Sequence, residues 1–254
     1  MLQWVQMQQI LPPPLYIKSN LTFSILDGKI PKEFNFINQP VSPFGIAGLR
    51  WAHFDPIDHV GDEVKATVQV ISSDPFTFST DALLTAEATT DATYLGIKFY
   101  MNPSDQERLS AAIKKEGFYP TSYIRKYPRI PAIDTIYSMP VRAIVKTTET
   151  MIVFDIANIS PNGILLQTEN PTAVTLMPGS RITVQIEPRG DILQSFRFEG
   201  MICRIIMDKN PRTKNINRFL GIRLTKMEDA EKAIFQSVLK AVIANLQQEK
   251  MILP

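Results

Sequence analysis

The sequence has one cysteine, two histidines and no long apolar run, and each scarcity excludes a class of protein. Cys203 has no second cysteine to bond, so a disulfide-stabilised fold is excluded. Its strand-like surroundings favour a core side chain over a nucleophile. No segment is long and apolar enough to span a bilayer, and the N-terminus lacks the basic and apolar regions of a signal peptide. We therefore expect a cytoplasmic protein.

Enzyme signals are equally sparse. Residues 53–59 hold both histidines, His53 and His59, with Asp55 and Asp58 between them. This cluster could bind a metal or serve acid–base catalysis, but no second ligand cluster and no Ser or Cys nucleophile motif accompanies it. We interpret it as a solvated loop, and expect neither a metal nor a catalytic site.

Charge divides the chain into two unequal halves. The whole chain carries +2, yet residues 1–117 hold 9 Lys and Arg against 13 Asp and Glu, and 9 − 13 = −4. Residues 118–254 hold 18 against 12, and 18 − 12 = +6. A basic second half is consistent with steering an anion toward it. The hydrophobic content of 44% suits globular domains with real cores.

The basic half opens with Arg-x-x-x-Arg, formed by Arg125 and Arg129 with Lys126 between them. The planar guanidinium bonds bidentately to phosphate or to the O6/N7 edge of guanine, and its face stacks on a base. Pro128 disfavours the helical region for Tyr127, so the segment is expected to be extended or turned. Two arginines four residues apart can then reach different parts of one compact anion.

Asn-x-Ser-x-x-Gly follows 29 residues after the second arginine, as Asn158, Ser160 and Gly163. An apolar run precedes it, and Pro161 and Asn162 supply turn chemistry, with glycine placed to accept a positive φ. Two residues apart on a strand, Asn158 and Ser160 face the same side and can bond to a base edge or a phosphate.

The order and spacing of these two motifs resembles the PilZ domain, the bacterial receptor module for cyclic di-GMP. Many family members have Asp where this chain has Asn158. The resemblance implies a small antiparallel β-barrel closed by a C-terminal helix, and it extends over about residues 120–245. It implies no catalysis and no cofactor, only the ligand cyclic di-GMP, held by six residues: Arg125, Lys126, Arg129, Asn158, Ser160 and Gly163.

The chain also repeats itself. Ser42 precedes Ser160 by 160 − 42 = 118 residues, and the same offset relates Gly45 to Gly163. Farther along the chain the offset between equivalent residues is larger, since Leu95 precedes Leu220 by 220 − 95 = 125 residues. We expect the seven additional residues of the second repeat to lie in the polar loop 208–218. The repeat predicts a mainly β chain of two tandem barrels, each closed by a helix, with domains at 1–117 and 118–254. The first lacks the ligand residues, since Met7, Leu11 and Pro40 occupy the positions of Arg125, Arg129 and Asn158.

Cap signals mark the two helices. Asn102 is an N-cap with Pro103 behind it, and Gly117 is a C-terminal stop. Thr225 and Glu228 resemble a capping box at the start of a second helix, which is long enough to pack between barrels or pair two subunits.

We predict a bacterial signalling effector in which ligand binding reorients the first barrel. The effector then acts on an unidentified protein partner, with motility, biofilm formation or a similar process as output. The alternative is a cyclic di-GMP-dependent transcription regulator that binds DNA through the basic loop or the first domain. A third possibility, a scaffold that has lost nucleotide binding, is disfavoured by the intact motifs.

Overall fold

A computed structural model of the protein describes residues 15–27, 30–50, 55–119, 130–131, 142–146, 151–187, 195–210 and 213–252. Thirteen antiparallel strands and two α-helices account for most of them. The first six strands are β1 (Ile17–Asp27), β2 (Ile30–Ser42), β3 (Gly45–Arg50), β4 (Glu63–Val70), β5 (Phe76–Thr89) and β6 (Thr93–Tyr100). The rest are β7 (Ile130–Pro131), β8 (Arg142–Lys146), β9 (Met151–Ser160), β10 (Gly163–Thr168), β11 (Arg181–Glu187), β12 (Phe196–Lys209) and β13 (Ile216–Lys226).

The first six strands close into a barrel in the order β1-β2-β3-β6-β5-β4, with β4 pairing back onto β1. Strict alternation of buried and exposed side chains drives this closure, because every second residue of a strand faces the same side. In β4 the inward set is Val64, Ala66, Val68 and Val70, all less than 9% exposed. The core of this barrel also receives Leu109 and Ile113 from a helix.

The second barrel repeats this order seven strands later, as β8-β9-β10-β13-β12-β11, with β11 pairing back onto β8. Its separate core is centred on Phe154, Phe196 and Phe198. The predicted fold class of two tandem antiparallel barrels, each with a C-terminal helix, is confirmed. The division at Gly117 stays a prediction.

Helix α1 (Pro103–Glu116) follows the first barrel and begins as the sequence predicts. The Asn102 side chain accepts a hydrogen bond from the Asp105 backbone N–H at 2.9 Å. Gly117 ends the helix with φ −66° rather than in the left-handed conformation. A side chain there would collide with the Ile113 carbonyl oxygen, so this glycine provides clearance rather than a reversal of φ.

Helix α2 (Asp229–Ile252) follows the second barrel, and its predicted capping box is wrong. Thr225 still belongs to β13, and its hydroxyl donates to the Glu199 carbonyl across the sheet at 3.0 Å. The strand therefore extends through the residues that the pattern assigned to the cap. The buried face of α2 carries Phe235, Val238 and Leu239. No helix in the described ranges has the length and apolarity needed to cross a membrane.

The sequence repeat is also a repeat of backbone hydrogen bonds. The N–H of Gly61 donates to the Leu84 carbonyl at 2.9 Å, and that of Gly179 donates to the Ile202 carbonyl at 2.7 Å. Both partners keep the predicted offset, since 179 − 61 = 118 and 202 − 84 = 118. The two glycines have nearly the same positive φ, 91° and 88°. The repeats therefore share turn geometry as well as strand order.

One of the seven extra residues lies at Cys203 rather than in the loop. In β12, Ile202 pairs with Ile222 but Arg204 pairs with Gly221, so Cys203 forms a β-bulge. The equivalent part of β5 is regular. Cys203 is half-buried and is absent from the core, so the expected core role is wrong although the strand assignment is right.

The other six extra residues lengthen the β12–β13 hairpin. Four residues separate the paired Ala88 and Thr93 (93 − 88 − 1 = 4), whereas ten separate the paired Met207 and Arg218 (218 − 207 − 1 = 10). Glu169 fastens this hairpin tip, accepting hydrogen bonds from the side chains of Thr213, Asn210 and Asn215. These donors hold the pKa of Glu169 below its usual range.

The two barrels join edge to edge through β5 and β12. Residues 204–207 of β12 pair antiparallel with residues 86–89 of β5. In each barrel this stretch lies beyond the end of its neighbouring strand, which is β11 for β12 and β4 for β5. Beyond the bulge, equivalent residues of the two repeats are 119 apart. Arg204 pairs with Gly221 as Thr85 pairs with Gly96, so Arg204 is the equivalent of Thr85. Ile206 then pairs with its own equivalent, Glu87, since 206 − 87 = 119. The junction is thus a pseudo-two-fold, built from the same stretch of both repeats.

Among the residues that the structure describes, two ion pairs cross this junction. Arg204 contacts Glu87 at 2.9 Å, and both side chains are about four-fifths buried. Lys98 contacts Asp208 at 2.9 Å. Lys209 also donates to the Gly61 carbonyl at 3.4 Å.

Gly45→Ala should destabilise the protein more than Gly179→Ala. Both glycines have positive φ, so both substitutions incur backbone strain of about 1 kcal/mol. A methyl group at Gly45 also collides with the Ile97 carbonyl, whereas one at Gly179 meets only the Thr90 methyl at 3.5 Å. We expect a loss of about 2–4 kcal/mol at Gly45 and about 1 kcal/mol at Gly179 by urea unfolding. Equal losses would contradict this account.

Protection of the hairpin tip against hydrogen exchange should decrease in acid. Because the folded-state pKa of Glu169 is lowered, its contribution is present above the ordinary glutamate range and is lost as pH falls through the lowered value. Glu169→Gln should reproduce the loss at neutral pH, and Glu63→Gln, at an exposed carboxylate of β4, is the control. Protection factors for residues 213–215 that stay unchanged in both tests would refute the anchoring role.

Candidate functional site

The turn between β9 and β10 is held by its own serine. The Ser160 hydroxyl donates to the Gly163 carbonyl at 3.1 Å. Ser42 makes the same bond to the Gly45 carbonyl of the first barrel at 3.0 Å. The hydroxyl proton is therefore used by the turn, and the oxygen keeps its lone pairs for an incoming donor.

Gly163 is required by a close approach and not by its φ. Its backbone is not among the positive-φ glycines, contrary to the expectation from the sequence. A methyl group there would lie 2.5 Å from the Ile222 carbonyl oxygen on the neighbouring strand. Gly163 thus allows β10 to pack against β13 directly beneath the turn.

Asn158 and Ser160 lie together on the outer face of the second barrel, as the sequence predicts. Their neighbours Ile156 and Ile159 are buried in the core, and a register shift around residue 157 lets both polar side chains face outward. Asn158 and Ser160 are themselves half-buried. The arrangement presents an amide and a hydroxyl side by side at the end of one strand.

The short strand β7 runs along this site. Ile130 pairs with Ile159, and Pro131 pairs with Asn158. The predicted ligand residues Arg125, Lys126 and Arg129 lie outside the described residues. Arg129 is covalently joined to Ile130, so the described chain resumes beside Asn158 directly after the Arg-x-x-x-Arg motif.

Sequence reasoning missed Arg204, which lies on the same outer face. The residues paired across successive strands are Asn158 and Leu165, then Leu165 and Gly221, then Gly221 and Arg204. Directly opposed residues of antiparallel strands share a face. The available signal was an arginine inside the otherwise uncharged stretch 200–206 of β12.

The corresponding face of the first barrel has different chemistry. Pro40 stands at the position of Asn158, and the turn carries Phe44, which is 74% exposed, where the second barrel has Asn162. A cavity of about 170 Å³ lies on this face, with Gly48 and Gly96 in its wall.

The histidine-rich segment forms a 3-10 turn, Pro56–His59, in the first barrel. His59 lies 2.8 Å from the Asp62 carboxylate. Within the ranges that the structure describes, no three His, Cys, Asp or Glu side chains gather as metal ligands would. His53 lies outside these ranges.

Comparisons with known proteins found one family match and several similar solved structures. Residues 123–241 match the family described as PilZ domain. Among solved structures, the chain is similar to the K. pneumonia MrkH–c-di-GMP complex, with 9% identity, a TM-score of 0.41, and coverage of 96% of this chain and 94% of that one. It is also similar to the Bacillus subtilis inhibitor of motility MotI/DgrA, with 13% identity, a TM-score of 0.36, and coverage of 88% and 96%.

A third similar structure is the PilZ domain of YcgR from Escherichia coli with c-di-GMP, at 17% identity and a TM-score of 0.39, covering 50% of this chain and 94% of that one. No curated protein matched the sequence. The family match spans the paired motifs and all six strands of the second barrel. Residues 123–241 are therefore a PilZ domain, and a barrel of the same strand order precedes it in the chain.

Proposed function

We propose that the protein is a cyclic di-GMP receptor and that the second barrel binds the ligand. The pairing of β7 with β9 carries this proposal, because it returns the chain to Asn158 immediately after the arginine motif. Arg129 directly precedes Ile130 in the sequence, and Ile130 and Pro131 are the residues that pair with Ile159 and Asn158. The two halves of the motif, 29 residues apart in sequence, can then act on one ligand.

Each group has a distinct task in this proposal. Arg125 and Arg129 bind phosphate or the O6/N7 edge of guanine with their planar forks, and Lys126 adds positive charge. Asn158 offers a carbonyl oxygen to guanine donors and an amine to guanine acceptors. The Ser160 oxygen accepts a further bond while its proton holds the turn. Nothing in this set activates a nucleophile, which supports a binding role without catalysis.

The first barrel transmits the signal rather than binding the ligand. It keeps the serine–glycine turn through Ser42 and Gly45 but has Pro40 in place of Asn158. We propose that ligand binding changes the geometry between the domains 1–117 and 118–254, and that a cytoplasmic protein partner responds to this change. The junction of β5 with β12 is an element through which such a change can pass.

The basic hairpin favours this role over DNA binding. Lys209 donates to the first barrel, and Asp208 forms an ion pair with Lys98. Glu169 fastens the tip. Part of the basic loop therefore serves contact between the barrels, and a DNA-binding role would require the same residues to face a phosphate backbone.

Titration of the full chain with cyclic di-GMP by isothermal calorimetry tests the proposal. Wild-type protein should bind, and Arg125→Ala and Arg129→Ala should each weaken binding about tenfold or more, because a charge-assisted bond to the ligand is lost. Arg181→Ala removes an exposed arginine from β11 and is the matched control, with unchanged affinity expected. Arg→Lys variants should recover only part of the loss, since lysine lacks the planar fork.

The absence of binding by the wild-type protein would refute the proposal. Equal affinities of wild type and both arginine variants would refute the assigned site. Salt-dependent DNA binding that appears only with ligand would favour the transcriptional alternative.

A further inference from the structure

Arg204 stands at the inner end of the row that begins at the proposed ligand site. Three strand spacings separate Asn158 from Arg204, about 14 Å at 4.8 Å each. Gly221, between them, has no side chain. A methyl group placed there would lie 2.8 Å from Cγ and 3.1 Å from Nε of Arg204. The Arg204 side chain therefore lies over Gly221 and extends across the first of these three spacings, the one between β12 and β13.

The remaining distance along the row is about 10 Å, or two strand spacings. Two purine bases joined through two sugars and two phosphates can extend over such a span. A dinucleotide that contacts Asn158 and Ser160 and lies along the row toward Gly221 would bring a base or a phosphate to Arg204. Of the two residues between Asn158 and Arg204, only Leu165 carries a side chain, and it is buried, while the Arg204 side chain itself lies over Gly221.

Arg204 also has a partner from the other barrel. Its Nη1 contacts Oε1 of Glu87 at 2.9 Å, and the two side chains are 18% and 20% exposed. Glu87 belongs to β5, so this ion pair lies on the pseudo-two-fold junction. The same guanidinium thus lies at the edge of the proposed ligand site and at the contact between the barrels.

We propose that Arg204 is a further ligand-binding residue for the cyclic dinucleotide, and that Glu87 of the first barrel competes with the ligand for it. This inference rests on the proposed function of the second barrel. A phosphate or the O6/N7 edge of guanine offers the guanidinium two acceptors in one plane, which matches its fork. Binding then exchanges an ion pair between barrels for a bond to the ligand.

A cavity beside the ion pair makes this exchange feasible. It measures about 170 Å³ and lies on the first-barrel side, where Glu87 and Arg204 share its wall with Thr85 and Gly96. A carboxylate that loses its counter-ion in a dry interior is strongly destabilising. A cavity of this size has room for several waters, which can hydrate Glu87 after Arg204 turns toward the ligand.

Calorimetry on the full chain tests the proposal with three variants. Arg204→Ala should weaken cyclic di-GMP binding about ten- to thirtyfold, through loss of a charge-assisted bond. Glu87→Gln should tighten binding about three- to tenfold, because the competitor no longer holds the guanidinium. In the double variant the gain from Glu87→Gln should disappear, because it requires Arg204.

Asp208→Asn is the matched control. It also removes one carboxylate from an ion pair across the junction, with Lys98, and so changes the net charge by the same amount. Its affinity should stay within about twofold of wild type. A gain equal to that of Glu87→Gln would overturn the proposal and assign the effect to general charge or to loosening of the barrels.

Other outcomes separate the two proposals. If the wild type binds and the Arg125→Ala and Arg129→Ala variants are impaired while Arg204→Ala binds normally, only the role of Arg204 is overturned. If Arg204→Ala does not fold, the tighter binding expected of Glu87→Gln still decides, and unchanged affinity there would refute the competition. If the wild type does not bind at all, both proposals are refuted.

Discussion

The pairing of β5 with β12 is the constraint on which the arrangement of this protein depends. Each barrel closes on itself, yet each leaves part of one strand without a partner after its neighbour has ended. An open strand edge is a site for unwanted pairing. The two open stretches, 86–89 and 204–207, satisfy each other. The barrels are therefore joined by main-chain hydrogen bonds and not only by the linker between them.

The pseudo-two-fold character of the junction has a physical consequence for symmetry. Equivalent strands meet about an axis through Ile206 and Glu87, as they would in a two-fold dimer of one barrel. The side chains on the axis differ, however, because an isoleucine faces a glutamate. Only one of the two equivalent positions carries a charge, and that charge can select Arg204 as its partner. Divergence of the repeats has thus turned a symmetric backbone contact into an asymmetric electrostatic one.

The same backbone framework supports the turn of the proposed ligand site in one barrel and a purely structural turn in the other. The hydroxyl bond from Ser42 to Gly45 shows that the serine and glycine of the motif stabilise the turn even where no ligand residues accompany them. In the proposed ligand site, specificity then comes from the residues that the first barrel lacks, namely the arginines and Asn158. This separation explains why the first barrel can keep the turn geometry without the proposed binding function.

Much of the fold could be predicted from the sequence because the repeat offsets report backbone geometry. The two-barrel architecture followed from the repeat and the family resemblance, and the turn at Ser160 and the start of α1 at Asn102 followed from local patterns. The misassigned capping box shows the limit of such patterns, because Thr225 is claimed by the sheet through a bond to the distant Glu199 carbonyl. The bulge at Cys203 and the role of Gly163 were also invisible, since both depend on where a neighbouring strand lies.

The largest omission, Arg204, has the most informative cause. Periodicity identifies which side of a strand a residue faces, but not which strands continue the sheet beyond it. The row from Asn158 to Arg204 crosses four strands, and only their registers reveal it. The Arg204 side chain then extends it to Glu87 on β5 of the first barrel. Because the row is continuous, a ligand on the second barrel needs no long pathway to affect the first. A single guanidinium with two competing acceptors provides a direct two-state contact, which is the physical requirement for coupling between sites.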